Sequence, residues 1–485
     1  MNLRKENFSR RRKIDNFSDI DLYPNFFRKV NNISDIYLFY KDLFIDKFFF
    51  EDMFFLLSGR IISKRFFGKA SFLNLQDFSG NIQLYVKKEN LSLDSYKFFE
   101  LLDVGDIVWV YGILFLTNTE MLSLKVYDLR LLVKSLSSFP SKWSGLQDKE
   151  LCYRNRYLDL IVNKKTKKIF LIRLKLIQFI RNFFLNMNFL EIETPMMHSI
   201  PGGATARPFK TFHNSLGINL YLRIAPELYL KKLIIGGFEK IFEINRSFRN
   251  EGLSVRHNSE FTMIEFYQAY VDYRYLMELT ELLIKKLYQY LFNDINLFDI
   301  IDLNNNFDCI TMFDSILKYT NLNFNVISDL DLLKNELNLL NISFDISWNI
   351  KKLQVILFEA LVENKLKKPT FIIDYPVEVS PLSKHSNINI GKTDRFEFYI
   401  NGFEIANGFS ELNDSVLQSD KFKKQIIDID IKKDNNIYYD ESYIKALEYG
   451  LPPTAGEGIG IDRLVMIFTG SLSIKDVILF PLMKN

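Results

Sequence analysis

The sequence predicts an α+β protein in two parts: a small N-terminal β-barrel, then a larger domain in which an antiparallel sheet is flanked by helices. Three patterns predict this. Between about 54 and 134, five short alternating segments enclose one helical segment. Over 165–186, apolar residues recur near helical spacing. Beyond 240, long alternating runs separated by turn signals suggest antiparallel strands. A length of 485 residues also exceeds one ordinary core, so two or more domains are expected.

Composition narrows the class. The net charge of +3 is nearly balanced, so any affinity for a polyanion must come from local patches. Cys152 and Cys309 are the two cysteines and lie far apart, which excludes a disulfide framework and a cysteine zinc site. The four histidines form no HExxH pattern. No apolar run is long enough to span a bilayer, so no membrane partner is expected. The start is basic but lacks an apolar signal core. An organelle transit peptide is the lesser alternative, and Asp15, Asp19 and Asp21 count against it because such peptides are acid-poor. A cytoplasmic location is the expectation.

Residues 1–50 are polar, charged and turn-rich, which fits either a solvated arm or a basic helix suited to phosphates. Within 51–138, the segments 56–62, 70–75, 82–86, 105–112 and 122–126 predict strands, with a helix near 93–102 between the third and fourth. Five strands with one interposed helix is the outline of an OB-fold. Residues 139–160 fit a linker, and 161–485 the second domain. Its first helix, 165–186, carries Ile169, Ile172, Ile177, Ile180 and Phe184 among Lys and Arg. Residues 304–367 are mostly helical in pattern and look like an insertion.

Common nucleotide loops are absent. Gly391-Lys392-Thr393 resembles the end of a P-loop, but its first glycine position is Ser386. Gly456-Glu457-Gly458-Ile459-Gly460 is glycine-rich, but Ile461 holds the last position of GxGxxG and Pro452-Pro453 precedes the run.

Other segments carry chemistry. Alternation over 241–251 puts Glu243, Asn245, Arg249 and Glu251 on one face, with Phe242, Ile244 and Phe248 on the other. A loop with Gly252, Arg256 and His257 follows. The next strand presents Phe261, Met263, Glu265 and Tyr267 together. The same pattern describes the solvated face of a half-buried sheet. The chemical alternative is that Arg grips a phosphate and Phe stacks a base. Asn401-Gly402 between alternating runs predicts a hairpin. A two-residue turn sets Tyr399 opposite Glu404 and Glu397 opposite Ala406. Glu397 and Glu404 then become diagonal neighbours on one face. They are either two surface glutamates or oxygen ligands of a magnesium–nucleotide site. Asn407, Phe409 and Glu411 have the opposite parity, so a bulge or bend near Gly408 is needed to bring both sets to one pocket. The glycines of 456–460 form either a turn or a surface for close backbone approach to a ligand. A helix carrying Arg463 is expected from 461.

Together and in this order, these segments resemble the class II aminoacyl-tRNA synthetases, most closely those that charge lysine. Phe189-Leu190-Glu191-Ile192-Glu193-Thr194-Pro195, with the helix before it, is similar to motif 1, which implies a homodimer through that helix. Phe248-Arg249-Asn250-Glu251 through Phe261 is similar to motif 2, and Gly456 through Arg463 to motif 3. Ile200-Pro201-Gly202-Gly203-Ala204, Ala225-Pro226-Glu227-Leu228-Tyr229-Leu230-Lys231 and Asn407-Gly408-Phe409-Ser410-Glu411-Leu412 resemble phrases of the lysine enzymes. The resemblance runs from about 59 to 482 and is weak over the first fifty residues and the insertion.

The resemblance implies ATP-dependent activation of L-lysine to an adenylate, then transfer to the 3′ end of tRNA(Lys). Arg249 and Arg463 would be the catalytic residues. Arg249 would hold the amino-acid carboxylate and the α-phosphate. Glu251 and Asn258 would contact the adenosine, and Phe261 would stack on adenine with Arg463 on its other face. Arg256, His257 and Arg463 would steady the outer phosphates, and Glu397 and Glu404 would hold Mg²⁺. Gly203, Glu227, Glu265, Tyr267, Asn407, Phe409 and Glu411 would line the lysine pocket with Arg249. Its acidity suits a substrate with two ammonium groups and disfavours aspartate. In the barrel, Phe72 and Gln83 match positions that stack on and hydrogen-bond anticodon bases, with Arg60 a third contact. One departure stands out: Met121 precedes Leu122-Ser123 where the family has an acid, and Glu120 is adjacent. The alternatives are an aspartyl or asparaginyl enzyme, a non-catalytic tRNA-binding paralogue, and a paralogue that lysylates protein.

Overall fold

The computed structural model describes residues 10, 21, 23–25, 27–43, 53–67, 70–137, 139, 146–204, 206–292, 303, 305–430 and 439–484. The chain forms two compact units, Met1–Gln147 and Asp148–Asn485.

In the first unit, helix α1 (Ile33–Leu43) precedes strands β1 (Phe54–Phe67), β2 (Ala70–Gln76) and β3 (Asn81–Lys87). Helix α2 (Leu93–Leu101) then leads to β4 (Ile107–Leu116) and β5 (Leu122–Val133). The strands close into a barrel in the order β1-β2-β3-β5-β4, the predicted OB arrangement. Burial alternates along β2 and β3, so Leu73, Leu75, Ile82, Leu84 and Val86 fill the interior while their neighbours face outward.

Helix α1 corrects the expectation of a solvated arm. Ile33 and Ile36 are buried in the barrel core, with Phe39 and Tyr40 packed beside them. Its first turn is tied down by Asp77, whose Oδ2 accepts from the Ile33 N–H at 3.0 Å and from Lys29 at 2.5 Å. Burial opposes ionisation of Asp77, but Lys29 and the N–H groups of Ile33 and Gly80 outweigh it and hold the acid down to about 2. Arg10 is also buried and donates to the Val104 and Ser135 carbonyls at 3.1 and 3.0 Å. The basic stretches 1–9 and 11–20 lie outside the described residues.

The second unit starts earlier than the predicted linker allows. Helices α3 (Lys149–Arg154) and α4 (Arg156–Val162) belong to it. Arg156 is buried, pairs with Asp159 at 2.6 Å and donates to the Leu479 carbonyl, which anchors the segment. Helix α5 (Lys164–Asn186) follows, then β6 (Leu190–Glu191), β7 (Met197–His198), β8 (Lys210–His213) and β9 (Ile218–Leu222). Helix α6 (Glu227–Ile235) leads to β10 (Lys240–Phe248), β11 (Glu260–Ala269) and α7 (Tyr273–Phe292).

The insertion is not purely helical. It opens with β12 (Asp308–Thr311), which joins the main sheet, before α8 (Met312–Tyr319), α9 (Leu330–Leu339) and α10 (Ile350–Leu361). Its helices build their own core from Met312, Ile316, Leu333, Leu337, Leu353 and Phe358. Then come β13 (Thr370–Ile373), β14 (Arg395–Ile400), β15 (Phe403–Ser410), α11 (Glu441–Leu447), β16 (Thr454–Gly460) and α12 (Ile461–Thr469).

The main sheet has eight strands in the order β12-β13-β14-β15-β16-β11-β10-β6. Its six central strands pair antiparallel, and the two outermost pair parallel with their neighbours. One face packs on α5, α7 and α12. There Ile180, Phe184, Leu283 and Leu464 meet Phe242, Ile264, Phe266, Phe396 and Phe398. Phe184 is the hinge of this contact, 5.4 Å from the Phe242 ring and 4.6 Å from Phe266. The other face is only partly covered. Leu228, Leu230 and Ile234 of α6, with Tyr443 and Leu447 of α11, pack near Ile241 and Tyr267. The rest of that face forms the floor of a cavity.

Because Ile36 is buried against the barrel, Ile36→Ala should cost ~2–4 kcal/mol in the stability of the first unit. Hydrogen exchange of the β1–β5 amides in the full-length protein measures it. A change below about 0.5 kcal/mol, the range of surface substitutions, would show that α1 merely rests there.

Candidate active site

The cavity is about 310 Å³, the size of a small-molecule site, and β11, β15 and β16 form its floor. Register aligns the functional residues in rows across these strands. Tyr267 of β11 is opposite Gly456 of β16, which is opposite Phe409 of β15. One row along, Glu265 meets Gly458 and Gly458 meets Asn407. The next row pairs Met263 with Gly460.

The glycine-rich segment is therefore a central strand and not a turn. Its glycines make room for protein as much as for ligand. A Cβ at Gly456 would collide with the Tyr267 ring and with Glu411 Oε1, and one at Gly458 would stand 2.7 Å from Met263 Cε. The alternate residues Ala455, Glu457 and Ile459 point into the buried interior.

The hairpin forms as predicted at its tip. Asn401 and Gly402 both have positive φ, 52° and 76°, as a two-residue turn of this kind requires. Tyr399 lies opposite Glu404. The pairing then shifts, so Glu397 faces Asn407 and not Ala406. The extra residue is Ile405, three positions before the expected irregularity at Gly408. This bulge brings Glu404, Asn407 and Phe409 all to the cavity.

One end of the cavity is cationic. Arg249 follows β10, stands 5.1 Å over the Phe261 ring and is largely buried. Its Nε has no hydrogen-bond partner among the described residues. Burial pulls its pKa below the usual guanidinium range, opposed by Glu404 and Glu251. Arg463, on the first turn of α12, donates to the Glu404 carbonyl at 2.6 Å and pairs with its carboxylate at 3.1 Å. His257 Nε2 is 3.4 Å from Arg463, and burial together with that charge lowers its pKa. Arg256 donates to Asn364 at 2.7 Å and lies 4.7 Å over Phe403. Asn258 is buried, donates to the Glu260 carbonyl at 2.7 Å and keeps an unpartnered Oδ1. Glu251 is exposed at the rim.

The other end is acidic. Glu227 opens α6 beside Gly203, whose φ of 87° turns the preceding loop into the wall. Glu265 is buried and, among the described residues, accepts only a 3.4 Å bond from the Tyr267 hydroxyl. Burial, then Glu227 and Glu243, push its pKa well above the carboxylate range, against the pull of Arg249 and Arg223. Glu411 lies behind Gly456, fully buried. Its Oε2 forms an ion pair with Lys231 Nζ, yet neither oxygen accepts a hydrogen bond of good geometry. Burial pushes Glu411 up to about 8, with Glu227 adding to the rise and Lys231 opposing it.

Glu397 does not line this cavity. Arg395 pairs with its Oε1 at 2.5 Å, while the Tyr375 and Tyr399 hydroxyls donate to Oε2 at 2.7 Å each. Burial raises its pKa, Arg395 opposes, and Glu404 adds repulsion. Glu363 on the same side is pushed up to about 7 by burial and by Glu397. These oxygens suit a hard divalent cation, and such a charge would relieve the mutual repulsion of Glu397, Glu404 and Glu363.

On the barrel, register sets Phe72 opposite Tyr85 and Gln83 opposite Asn74, all four outward on adjoining strands. The Phe72 and Tyr85 rings are 5.3 Å apart. Arg60 is diverted: its guanidinium donates to the Gly105 carbonyl at 2.7 Å. Met121 is half exposed, and Glu120 beside it takes a left-handed φ of 56° in the β4–β5 turn.

Three groups around the cavity escaped the sequence. The buried pair Arg223–Glu243, at 2.6 Å, braces β10. Arg395 restrains Glu397. Lys231 bridges two of the predicted acids. Its i+4 spacing from Glu227 was visible, but its burial was not.

Comparison with known proteins now adds a family. Residues 148–484 match the model described as tRNA synthetases class II (D, K and N), and 55–132 match the OB-fold nucleic acid binding domain. A lysine–tRNA ligase of Wigglesworthia glossinidia brevipalpis is 49% identical, covering 100% of this chain and 99% of its own length. A lysine–tRNA ligase of Buchnera aphidicola is 47% identical over 100% of this chain and 94% of its own. One from Legionella pneumophila strain Paris is 52% identical over 88% of this chain and 87% of its own. No helix among the described residues is long and apolar enough to cross a membrane.

The buried Glu457 supplies a test of the electrostatics. Among the described residues its oxygens accept only from the Thr280 hydroxyl, and burial pushes it up to about 8 from an ordinary 4.5. The folded state thus holds a proton that the unfolded state releases above 4.5. That stabilisation is complete below pH 4.5 and is lost as pH rises through 8. Relative to the wild type, Glu457→Gln should gain stability across this window at about 1.4 kcal/mol per pH unit. Paired thermal melts at pH 5 and pH 8 measure it, and parallel shifts in both proteins would refute the buried-acid account.

Proposed function

The chain belongs to the class II tRNA synthetases of the aspartate, lysine and asparagine group, it is an enzyme that activates lysine and charges tRNA with it, and we propose that the cavity described above does so with the residue roles that follow. One observation carries the reading: the cavity is polarised, with an incompletely satisfied Arg249 at one end and buried, incompletely satisfied acids at the other.

An amino acid with a cationic side chain fits this polarity. Its α-carboxylate goes to Arg249, and its ammonium groups to Glu265, Glu227 and Glu411. Phe409 and Tyr267 flank the aliphatic stem, and Asn407 supplies a neutral polar partner. Aspartate would bring a second carboxylate against the acids, so the aspartyl and asparaginyl readings fit the pocket poorly. Phe261 offers its face to adenine, with Asn258 and Glu251 near the nucleoside. Arg256, His257 and Arg463 face the outer phosphates.

The first step needs no protein base. A carboxylate oxygen of lysine attacks the α-phosphorus, a P–O bond forms, and the bond to pyrophosphate breaks. Arg249 orients the nucleophile and stabilises charge on the α-phosphoryl oxygens, while Arg463 and His257 stabilise the departing pyrophosphate. In the second step a 3′-terminal hydroxyl of tRNA attacks the carbonyl and AMP leaves. Glu404 and Glu397 would hold Mg²⁺, which supplies neutralisation of phosphate charge when bound. Breaking the Arg395 pair would free Glu397 for that role.

The outward Phe72 and Gln83 are assigned to anticodon bases, by stacking and hydrogen bonding respectively. Arg60, held by the Gly105 carbonyl, would have to leave it to make a third contact. Helix α5 and the segment after it are assigned to a homodimer interface, consistent with exposed Leu174, Leu190, Met196 and Met197. The cytoplasm, where amino acid, ATP and tRNA meet, is the proposed location.

Two outcomes test these roles. Glu411→Gln should lower kcat/KM for lysine about 100-fold in ATP–pyrophosphate exchange, because a charged partner of a buried ammonium is lost. An unchanged rate would remove Glu411 from the pocket. Phe72→Ala should weaken tRNA charging by about 5- to 100-fold, the worth of one stacked base, and leave pyrophosphate exchange untouched. Equal loss in both assays would contradict a role confined to tRNA.

A further inference from the structure

Lys231 is a fully buried lysine behind the acidic end of the cavity, where it pairs with the lining residue Glu227. It lies one helical turn after Glu227 on α6, so both side chains project from the same side of that helix. Its Nζ is 2.5 Å from Glu227 Oε1 and also pairs with Glu411, which comes from just beyond β15. The Phe409 ring is 5.3 Å from the same ammonium. The protein thus brings its own lysine side chain to the end of the cavity assigned to substrate lysine.

We propose that Lys231 is a positioning residue that sets the charge of the lysine pocket: it cancels one of the two carboxylates it bridges, so that Glu227 and Glu411 together offer one negative charge to one substrate ammonium. The inference rests on the lysine-activating reading above and deepens it.

The physical case is a matter of charge in a dry place. Glu227, Lys231 and Glu411 are all buried. Without the ammonium, two buried carboxylates would face each other with no cation between them, and their repulsion would oppose the doubly ionised state. The ammonium favours the ionised forms of both acids, and with both ionised the trio carries a single negative charge. Burial pulls Lys231 toward neutrality, but Glu227 and Glu411 outweigh it and hold its pKa above the usual lysine value. The charge is covalently fixed in place before substrate arrives, so no reorganisation is needed on binding. The same balance gives selectivity. A substrate with a neutral tail of equal length leaves that one charge unpaired in a dry pocket.

The prediction concerns sign. In the wild-type background, Lys231→Met should lower kcat/KM for lysine in ATP–pyrophosphate exchange by about 100-fold, the cost of an uncompensated buried charge. In a Glu227→Gln background, Lys231 cancels Glu411 entirely and the trio is neutral. There, Lys231→Met should restore the single negative charge and raise kcat/KM for lysine at least about 10-fold over Glu227→Gln alone, a coupling within the usual range for contacting residues. Glu227→Gln alone should also reduce the preference for lysine over norleucine by at least about 10-fold, because both amino acids share the α-ammonium and differ only at the tail. A merely structural lysine would damage both backgrounds alike. If Lys231→Met or the double variant does not fold, Lys231→Gln in the same two backgrounds repeats the comparison and decides the question. An unchanged ratio, or no gain in the double variant, overturns the inference. A wild-type enzyme that shows no lysine-dependent exchange overturns the functional reading itself, and this inference with it.

Discussion

The site depends on a strand without side chains on one face. Strand β16 lies between β11 and β15, and Gly456, Gly458 and Gly460 turn nothing toward the cavity. Tyr267, Met263 and Glu411 occupy the space that a Cβ would take. Any side chain at Gly456 would displace Tyr267 and Glu411 together, and with them the acidic end of the pocket. The opposite face of the strand has the reverse demand. Ala455 and Ile459 pack in the main core, where density permits no retreat. The strand can move neither down nor up, so the floor of the cavity is rigid.

On that floor the charges are separated along a line. Arg249 marks one end, and Glu227 and Glu265 the other beside Phe409 and Tyr267, with Glu411 behind Gly456. Each acid is raised by burial, which shows that the fold does not fully compensate it. Such a site costs stability while empty, and the ligand's own charges recover it on binding. Recognition then comes from preorganised electrostatics and little from new hydrophobic burial. The Arg223–Glu243 pair beside it shows the contrasting solution, a buried acid fully matched by its own arginine.

What the sequence revealed was local, and what it hid was long-range. The barrel was legible because β2, β3 and β4 alternate cleanly and the intervening helix has its own cap at Ser92. The hairpin was legible because Asn401-Gly402 fixes a turn by itself. The bulge at Ile405 was inferred in need but misplaced, since its position is set by pairing with both β14 and β16. The glycine strand was obscured because glycine weakens a strand signal, and its partners lie far away in sequence. Glu397 looked free because Tyr375 approaches it only in the fold, while Arg395, two residues before it on the same strand face, was overlooked. Helix α1 was masked by the polar residues around Ile33 and Ile36, a pair whose burial depends on the barrel. The lysine-pocket acids were named from resemblance and charge, and the cavity gathers Glu227, Glu265, Tyr267, Asn407 and Phe409 as neighbours, with Glu411 directly behind Gly456.

The main sheet has a further property at its margins. Its outermost strands are short, two residues for β6 and four for β12, and each begins or ends on an acid, Glu191 and Asp308. A chain with 46 phenylalanines and a wide, apolar, twisted sheet carries a standing risk of edge-to-edge polymerisation. Brief, charged borders leave a wandering strand almost no ladder to extend. The same borders that finish the catalytic sheet therefore also help keep a crowded solution of this protein from aggregating.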